Sequence, residues 1–254
     1  MFKYLLSLVL SLVLIAPAQA DLVTDLSKRR IDINSTFTGA SLLLFGTFTE
    51  AFDYDPEIHD IVITVTGPNK PMVLRKKVNK AGIWVNYYQQ SYNKMPSYYS
   101  VLSTRPLVEI SDKPTLGRLG LGTNFLFFDP NPLMQKLPDT QAWLEFRNSV
   151  VRLKKNELLY IDHPNGVEFV GNGLFRANVD FPANVDIGEY EVSAYLFRAG
   201  NMVFEEHSVI NMRKFGFSNQ LSQFANTYPW LHGVLAVIFA LIMGWLASVI
   251  FRRK

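Results

Sequence analysis

Cysteine is absent from all 254 residues, and with it go disulfides, thiolate metal sites and cysteine nucleophiles. Histidine is scarce too, at four residues, and no Gly-x-Ser-x-Gly elbow occurs. A Ser-His-Asp constellation can assemble from any chain order, but no recognisable catalytic motif points to one, and no enzyme is expected. Small exported domains often rely on disulfides, so a chain without them must be held by its own core. Excess basic charge is also missing once the ends are set aside. Of the 25 Lys and Arg residues, Lys3, Arg252, Arg253 and Lys254 lie at the termini, which leaves 21 against 22 acidic residues. A nucleic-acid footprint requires basic residues clustered on the folded domain, so no nucleic-acid partner is expected.

What is present begins with the two ends. After Lys3 an apolar run from Leu5 to Ile15 leads into Ala16-Pro17-Ala18-Gln19-Ala20, the parts of a cleavable signal peptide over 1–20. At the other end Leu231 to Phe251 carries no Asp, Glu, Lys or Arg and has the roughly 20-residue length of a membrane-crossing helix, expected over 230–251. Tyr228 and Trp230 stand at one rim and Arg252-Arg253-Lys254 at the other. The positive-inside bias then leaves a basic tail, 252–254, in the cytoplasm. The expected topology is a single pass through the bacterial inner membrane with the ectodomain in the periplasm.

Between the ends, β-branched and aromatic runs are bounded by turn residues. Asp60 to Thr66 and Met72 to Lys77 flank Gly67-Pro68-Asn69-Lys70-Pro71 and read as a hairpin with a long loop. Further strands are expected over Ala81–Tyr88, Ser97–Thr104, Val167–Val170, Leu174–Val179, Gly188–Phe197 and Met202–Met212. In the run from Gly188, Tyr190, Val192, Ala194 and Leu196 alternate with Glu189, Glu191, Ser193 and Tyr195, the period of a half-buried antiparallel strand. Residues 111–138 are interrupted by Pro114, Gly117, Gly120, Gly122, Pro130, Pro132 and Pro138 and read as an irregular connection. Asp139 is a plausible N-cap for a helix over 140–159, where Trp143, Phe146, Val150 and Leu153 recur at helical spacing and are expected to pack on a sheet. The fold class is mainly β: an immunoglobulin-like sandwich in two halves, 21–110 and 139–213 with its helix, followed by a juxtamembrane linker over 214–229.

The combination of Phe37-Thr38-Gly39, Leu42-Leu43-Leu44-Phe45-Gly46, Gly67-Pro68, Arg75-Lys76-Lys77, Gly82-Ile83-Trp84-Val85-Asn86, Ser103-Thr104-Arg105-Pro106-Leu107, Phe181-Pro182-Ala183-Asn184-Val185 and the C-terminal helix resembles a family of alphaproteobacterial transmembrane proteins. The resemblance runs over nearly the whole chain. It implies topology and no activity; as partners it implies a permease of the sulfite-exporter type or another envelope protein.

The expected role is therefore a membrane-anchored accessory or interaction protein, assisting an inner-membrane transporter, with a periplasmic anion- or metal-binding module as the alternative. The candidate binding surface is Arg75, Lys77, Trp84, Asn86 and Arg105, which combine positive charge with aromatic surface; a charged sheet edge is the plainer reading of the cations. No cofactor and no metal are expected. If a hard cation were held, Asp53, Asp55, Glu57 and His59 supply the ligand types, without the glycine-pinned spacing of a calcium loop.

Overall fold

A computed structural model describes residues 22–48, 55, 57–134, 137, 139–171, 173–215 and 225–251. The expected signal peptide, Asp53 and the basic tail lie outside the described residues. The chain divides into two units, one from residues up to 31 and 38–212, the other from 32–37 and 213 onward. In chain order the described strands are β1 (Leu22–Leu26), β2 (Arg30–Ile33), β3 (Gly39–Phe48), β4 (His59–Thr66), β5 (Asn69–Lys80), β6 (Ile83–Pro96), β7 (Tyr99–Ser103), β8 (Asp129–Pro130), β9 (Tyr160–Pro164), β10 (Val167–Phe169), β11 (Phe175–Pro182), β12 (Gly188–Arg198) and β13 (Asn201–Lys214). The described helices are α1 (Leu107–Ile110), α2 (Lys113–Leu119), α3 (Thr140–Asn156) and α4 (Pro229–Phe251), with a 3-10 turn at Pro132–Met134.

The first sheet has the order β1-β3-β11-β10. Strand β3 buries Leu42, Leu44 and Phe48 and exposes Ser41, Leu43, Phe45 and Thr47; β11 buries Phe175, Ala177, Val179 and Phe181 between exposed neighbours. A period of two with one wet face is the signature of an antiparallel sheet over a core. Gly46 permits the closest approach in it. A Cβ there would lie 2.4 Å from the Phe175 ring and 2.7 Å from the Val23 carbonyl oxygen, so any side chain would displace that ring.

The second sheet has the order β2-β13-β12-β4-β7-β9. Its central strand β4 is buried on both faces from His59 to Val65, which explains the unbroken Ile61-Val62-Ile63 run. One face carries Tyr190 and, with Tyr98 beside it, meets the first sheet: the Phe181 ring stands 5.1 Å from Tyr98 and 5.7 Å from Tyr190, and the Tyr98 hydroxyl donates to the Asp180 carbonyl at 2.9 Å. The opposite face is covered by α1, α2 and the turn after them. There the Tyr99 hydroxyl donates to the Gly120 carbonyl at 3.2 Å and accepts from the Gly122 amide at 2.9 Å, while Asp162 takes both the amide and the hydroxyl of Thr123. Two sheets packed face to face are compatible with the expected immunoglobulin-like sandwich.

Three expectations are corrected. Each large sheet takes strands from both 21–110 and 139–213, so the two stretches do not form separate halves; local alternation marks a strand but not its partner. Within 111–138, α2 is a capped helix. The Asp112 carboxylate accepts from the Thr115 amide at 3.2 Å, Pro114 lies in the first turn and Gly120 ends the helix at φ 68°, so the proline and glycine that suggested irregularity are helix punctuation. Asp60–Thr66 and Met72–Lys77 do not pair with each other: β4 lies between β12 and β7, whereas β5 pairs with β6 in a third sheet, order β5-β6-β8.

Helix α3 starts where Asp139 caps it, its carboxylate accepting from the Ala142 amide at 2.8 Å. Its Phe146 and Val150 pack on Leu74, Tyr92 and Met95 of the third sheet, as the apolar stripe requires. Inside this cluster the Tyr92 hydroxyl is buried with no hydrogen-bond partner among the described residues, and burial pushes its pKa up. An unmet buried hydroxyl costs about 1–3 kcal/mol. Tyr92→Phe is therefore expected to hold or raise the stability of the detergent-solubilised chain, by about 1 kcal/mol, or ~2–4 °C in Tm for a domain of this size. A clear fall in Tm would show that the hydroxyl is bonded.

In the second unit, α4 runs 23 residues, reaches a mean hydropathy of 2.7 over an 18-residue stretch, and has no buried side chain. It is the one described helix long and apolar enough to cross a membrane. Ahead of it the Phe215 amide donates to the Ile33 carbonyl at 2.9 Å.

Candidate functional site

Strands β5 and β6 form a long antiparallel hairpin from the pair Asn69↔Pro96 to the pair Lys80↔Ile83. The reversal is made by Ala81 and Gly82, both at positive φ, 52° and 85°, as a two-residue primed turn demands. The Asn79 side chain accepts from the Gly82 amide at 2.9 Å and closes it. Near its base the hairpin is held by α3. Towards the tip both faces are exposed, and Ile83 and Trp84 keep 67% and 65% of their surface in solvent.

Alternation along β5 puts Val73, Arg75, Lys77 and Asn79 on one face, and the register sets Gln89 opposite Arg75, Asn86 opposite Lys77 and Trp84 opposite Asn79. Arg75, Lys77, Trp84 and Asn86 are thereby brought to a single face of one hairpin. The Arg75 Nε donates to the Gln89 side-chain oxygen at 3.2 Å. A bulge between Lys76 and Lys77 leaves Tyr87 as the extra residue, with the Lys80 ammonium 3.9 Å above its ring centre. Lys76 takes the other face and reaches Glu145 of α3 at 3.0 Å.

Arg105 does not join them. It follows β7 in the second sheet, where its Nε donates to Asp60 Oδ1 at 2.8 Å and its terminal nitrogen to Oδ2. The carboxylate raises the guanidinium pKa further. Among the cation-site candidates the Asp55 carboxylate accepts from the Glu57 amide at 2.9 Å, and His59 turns its Nδ1 to the Asp55 backbone at 3.0 Å. Among the described residues no group of three His, Asp or Glu is placed to hold a metal.

One arrangement was invisible in the sequence. Ser193 and His207 face each other across β12 and β13, with Ser193 Oγ 2.9 Å from His207 Nδ1 and His207 Nε2 3.2 Å from the Glu205 carboxylate. A serine, a ring nitrogen and a carboxylate on the far nitrogen have the order of a hydrolytic relay. Ser193, however, is buried at the centre of a strand paired on both sides, to His207 and to Thr64. Its neighbouring amides belong to the sheet ladder, whereas an oxyanion requires free donors beside the nucleophile. Glu191 also lies 3.3 Å from Nδ1, so the imidazole sits between two carboxylates on the strand surface. Only the cross-strand register brings these residues together, and no spacing in the chain signals it. The signal for the hairpin was legible in retrospect: Ala81-Gly82 between two extended polar-and-aromatic runs.

Comparison with curated proteins and with solved structures returned no match. A family model described as "Putative transmembrane protein (Alph_Pro_TM)" matches residues 21–253, a span that contains every described strand and helix, and the chain belongs to that family.

Proposed function

We propose that this protein is a membrane-anchored, non-catalytic interaction module that holds its ectodomain in the periplasm and presents the β5–β6 hairpin to an envelope protein, an inner-membrane transporter foremost. The observation that carries the reading is the exposed Ile83-Trp84 tip on a hairpin with Arg75, Lys77 and Asn86 along the same face as Trp84. Tryptophan is over-represented where interfaces concentrate their energy, and the lysines around it give a polar rim. The signal-like N-terminus and the basic end after α4 support the orientation. The engagement of Arg105 with Asp60 removes one cation from any anion site, which favours docking over anion capture.

A photoreactive amino acid at position 84, in the full chain in native membranes, is expected to give a discrete crosslinked product, while the same group at Ile187, exposed on the body, gives none. The double change Ile83→Ser with Trp84→Ala is expected to reduce partner recovery on the order of tenfold or more, since a buried interface tryptophan contributes about 2 kcal/mol or more. Equal crosslinking at both positions, with recovery unchanged in the variant, would end the proposal.

A further inference from the structure

A groove of about 810 Å³ runs between β5 and α3, within the roughly 300–1,000 Å³ of ligand clefts. Met72 and Leu74 form one wall, Phe146 and Leu153 the other, and Arg75 and Arg152 stand at its rim. Strand β5 is an edge: it pairs with β6 on one side and, among the described residues, with no strand on the other. Every second residue of an edge strand aims its N–H and C=O outward. The groove follows the edge from Met72 to Lys76, room for about five residues of extended chain at roughly 3.3 Å each.

We infer that this groove binds an extended acidic peptide segment of a partner protein, which adds as a strand to the outer edge of β5. The main chain would supply affinity and the alternate side chains specificity, as in strand addition generally. Apolar residues at every other position enter between β5 and α3. Carboxylates on the intervening positions lie on the Arg75 face of the hairpin and reach Arg75, while Arg152 adds positive charge at the rim on the α3 side. Lys76 is already matched by Glu145, so the rim retains net positive charge from the two arginines. The same charges disfavour a second copy as the occupant, because two β5 edges side by side would set Lys70, Arg75, Lys76, Lys77 and Lys80 against their like. A charged edge thus suppresses self-pairing and selects an acidic strand.

This groove shares Arg75 with the hairpin face proposed above but does not include the Ile83-Trp84 tip. The test is fluorescence anisotropy of the full chain in detergent with a labelled short peptide of alternating valine and aspartate. Lysine-for-aspartate and two backbone N-methylated forms, one methylated at odd and the other at even amides, serve as comparison peptides. The aspartate peptide is expected to bind, the lysine peptide not to bind, and one N-methyl pattern alone to abolish binding, because only alternate amides meet the edge. Arg75→Glu with Arg152→Glu is expected to weaken the aspartate peptide about tenfold or more at unchanged Tm. Ile83→Ser with Trp84→Ala leaves it unchanged, so the tip and the groove can fail independently. Absence of binding, equal binding of both charge types, or equal tolerance of both N-methyl patterns overturns the inference.

Discussion

Arg105→Ala is expected to destabilise the β-sheet unit by about 3 kcal/mol, the lower end of the range for stripping one partner from a buried ion pair. The Asp60 side chain is only 3% exposed, whereas that of Arg105 is 40% exposed, so water enters from the arginine side and limits the loss. What stays behind is a buried carboxylate that still accepts from the Thr104 hydroxyl at 2.8 Å. In a domain of this size the change corresponds to a fall of about 6–12 °C in Tm. Adding Asp60→Asn is expected to recover part of it, because the isosteric amide carries no charge to strand. A Tm within about 1 °C of the parent for the single variant, on the same scale, would show that the fork is a surface pair of no consequence.

Alkaline pH is expected to unfold the protein abruptly. Burial pushes the phenols of Tyr98, Tyr99, Tyr160 and Tyr190 well above their ordinary range, and that of Tyr195 to about 12. Tyr98, Tyr99, Tyr160 and Tyr190 each donate the hydroxyl proton to a backbone carbonyl, of Asp180, Gly120, Pro96 and Asp186. Ionisation would abolish those bonds and place an anion against a carbonyl oxygen. Because the folded pKa values lie above the unfolded value of about 10, the contribution is complete below pH ~10 and is lost as pH rises towards the folded values. Each such phenol then removes about 1.4 kcal/mol per pH unit, and five together outrun a typical stability of about 5–15 kcal/mol within one or two units. Tyrosinate absorbance from these residues should therefore appear together with loss of the β-sheet circular dichroism. Titration of the buried phenols near pH 10 with the sheets intact would contradict it.

The sequence disclosed elements more readily than partners. The alternation in Tyr190, Val192, Ala194 and Leu196, the Asp139 cap and the long apolar run from Leu231 each signal something local, and each corresponds to an element in place. Pairing is not local. The loop Gly67-Pro68-Asn69-Lys70-Pro71 looks like any hairpin connection, yet it is where the chain leaves one sheet for another, with Gly67 donating to the Tyr98 carbonyl and Ser97 to that of Pro68. Strand β9 pairs in parallel with β7 through Tyr99↔Tyr160, which only a long crossover permits. The site divides in the same way. Arg75, Lys77, Trp84 and Asn86 share a face because strand period and register follow from one turn. Arg105 meets Asp60 across two sheet neighbours, and the groove exists only because α3 lies beside an edge.

The interleaving of strands sets a timetable for folding. The partner of Gly39 in the first sheet is Pro182, and the central β4 waits for β12 on one flank and β7 on the other. A chain emerging from its N-terminus therefore carries the Ile61-Val62-Ile63 run with half its ladder unmet until β12 has been made. Such late, long-range pairing slows folding and prolongs the exposure of adhesive segments. A nascent chain stopped before Phe175 lacks both β11, which joins β3 to β10 in the first sheet, and β12, which flanks β4 in the second, and so can complete neither.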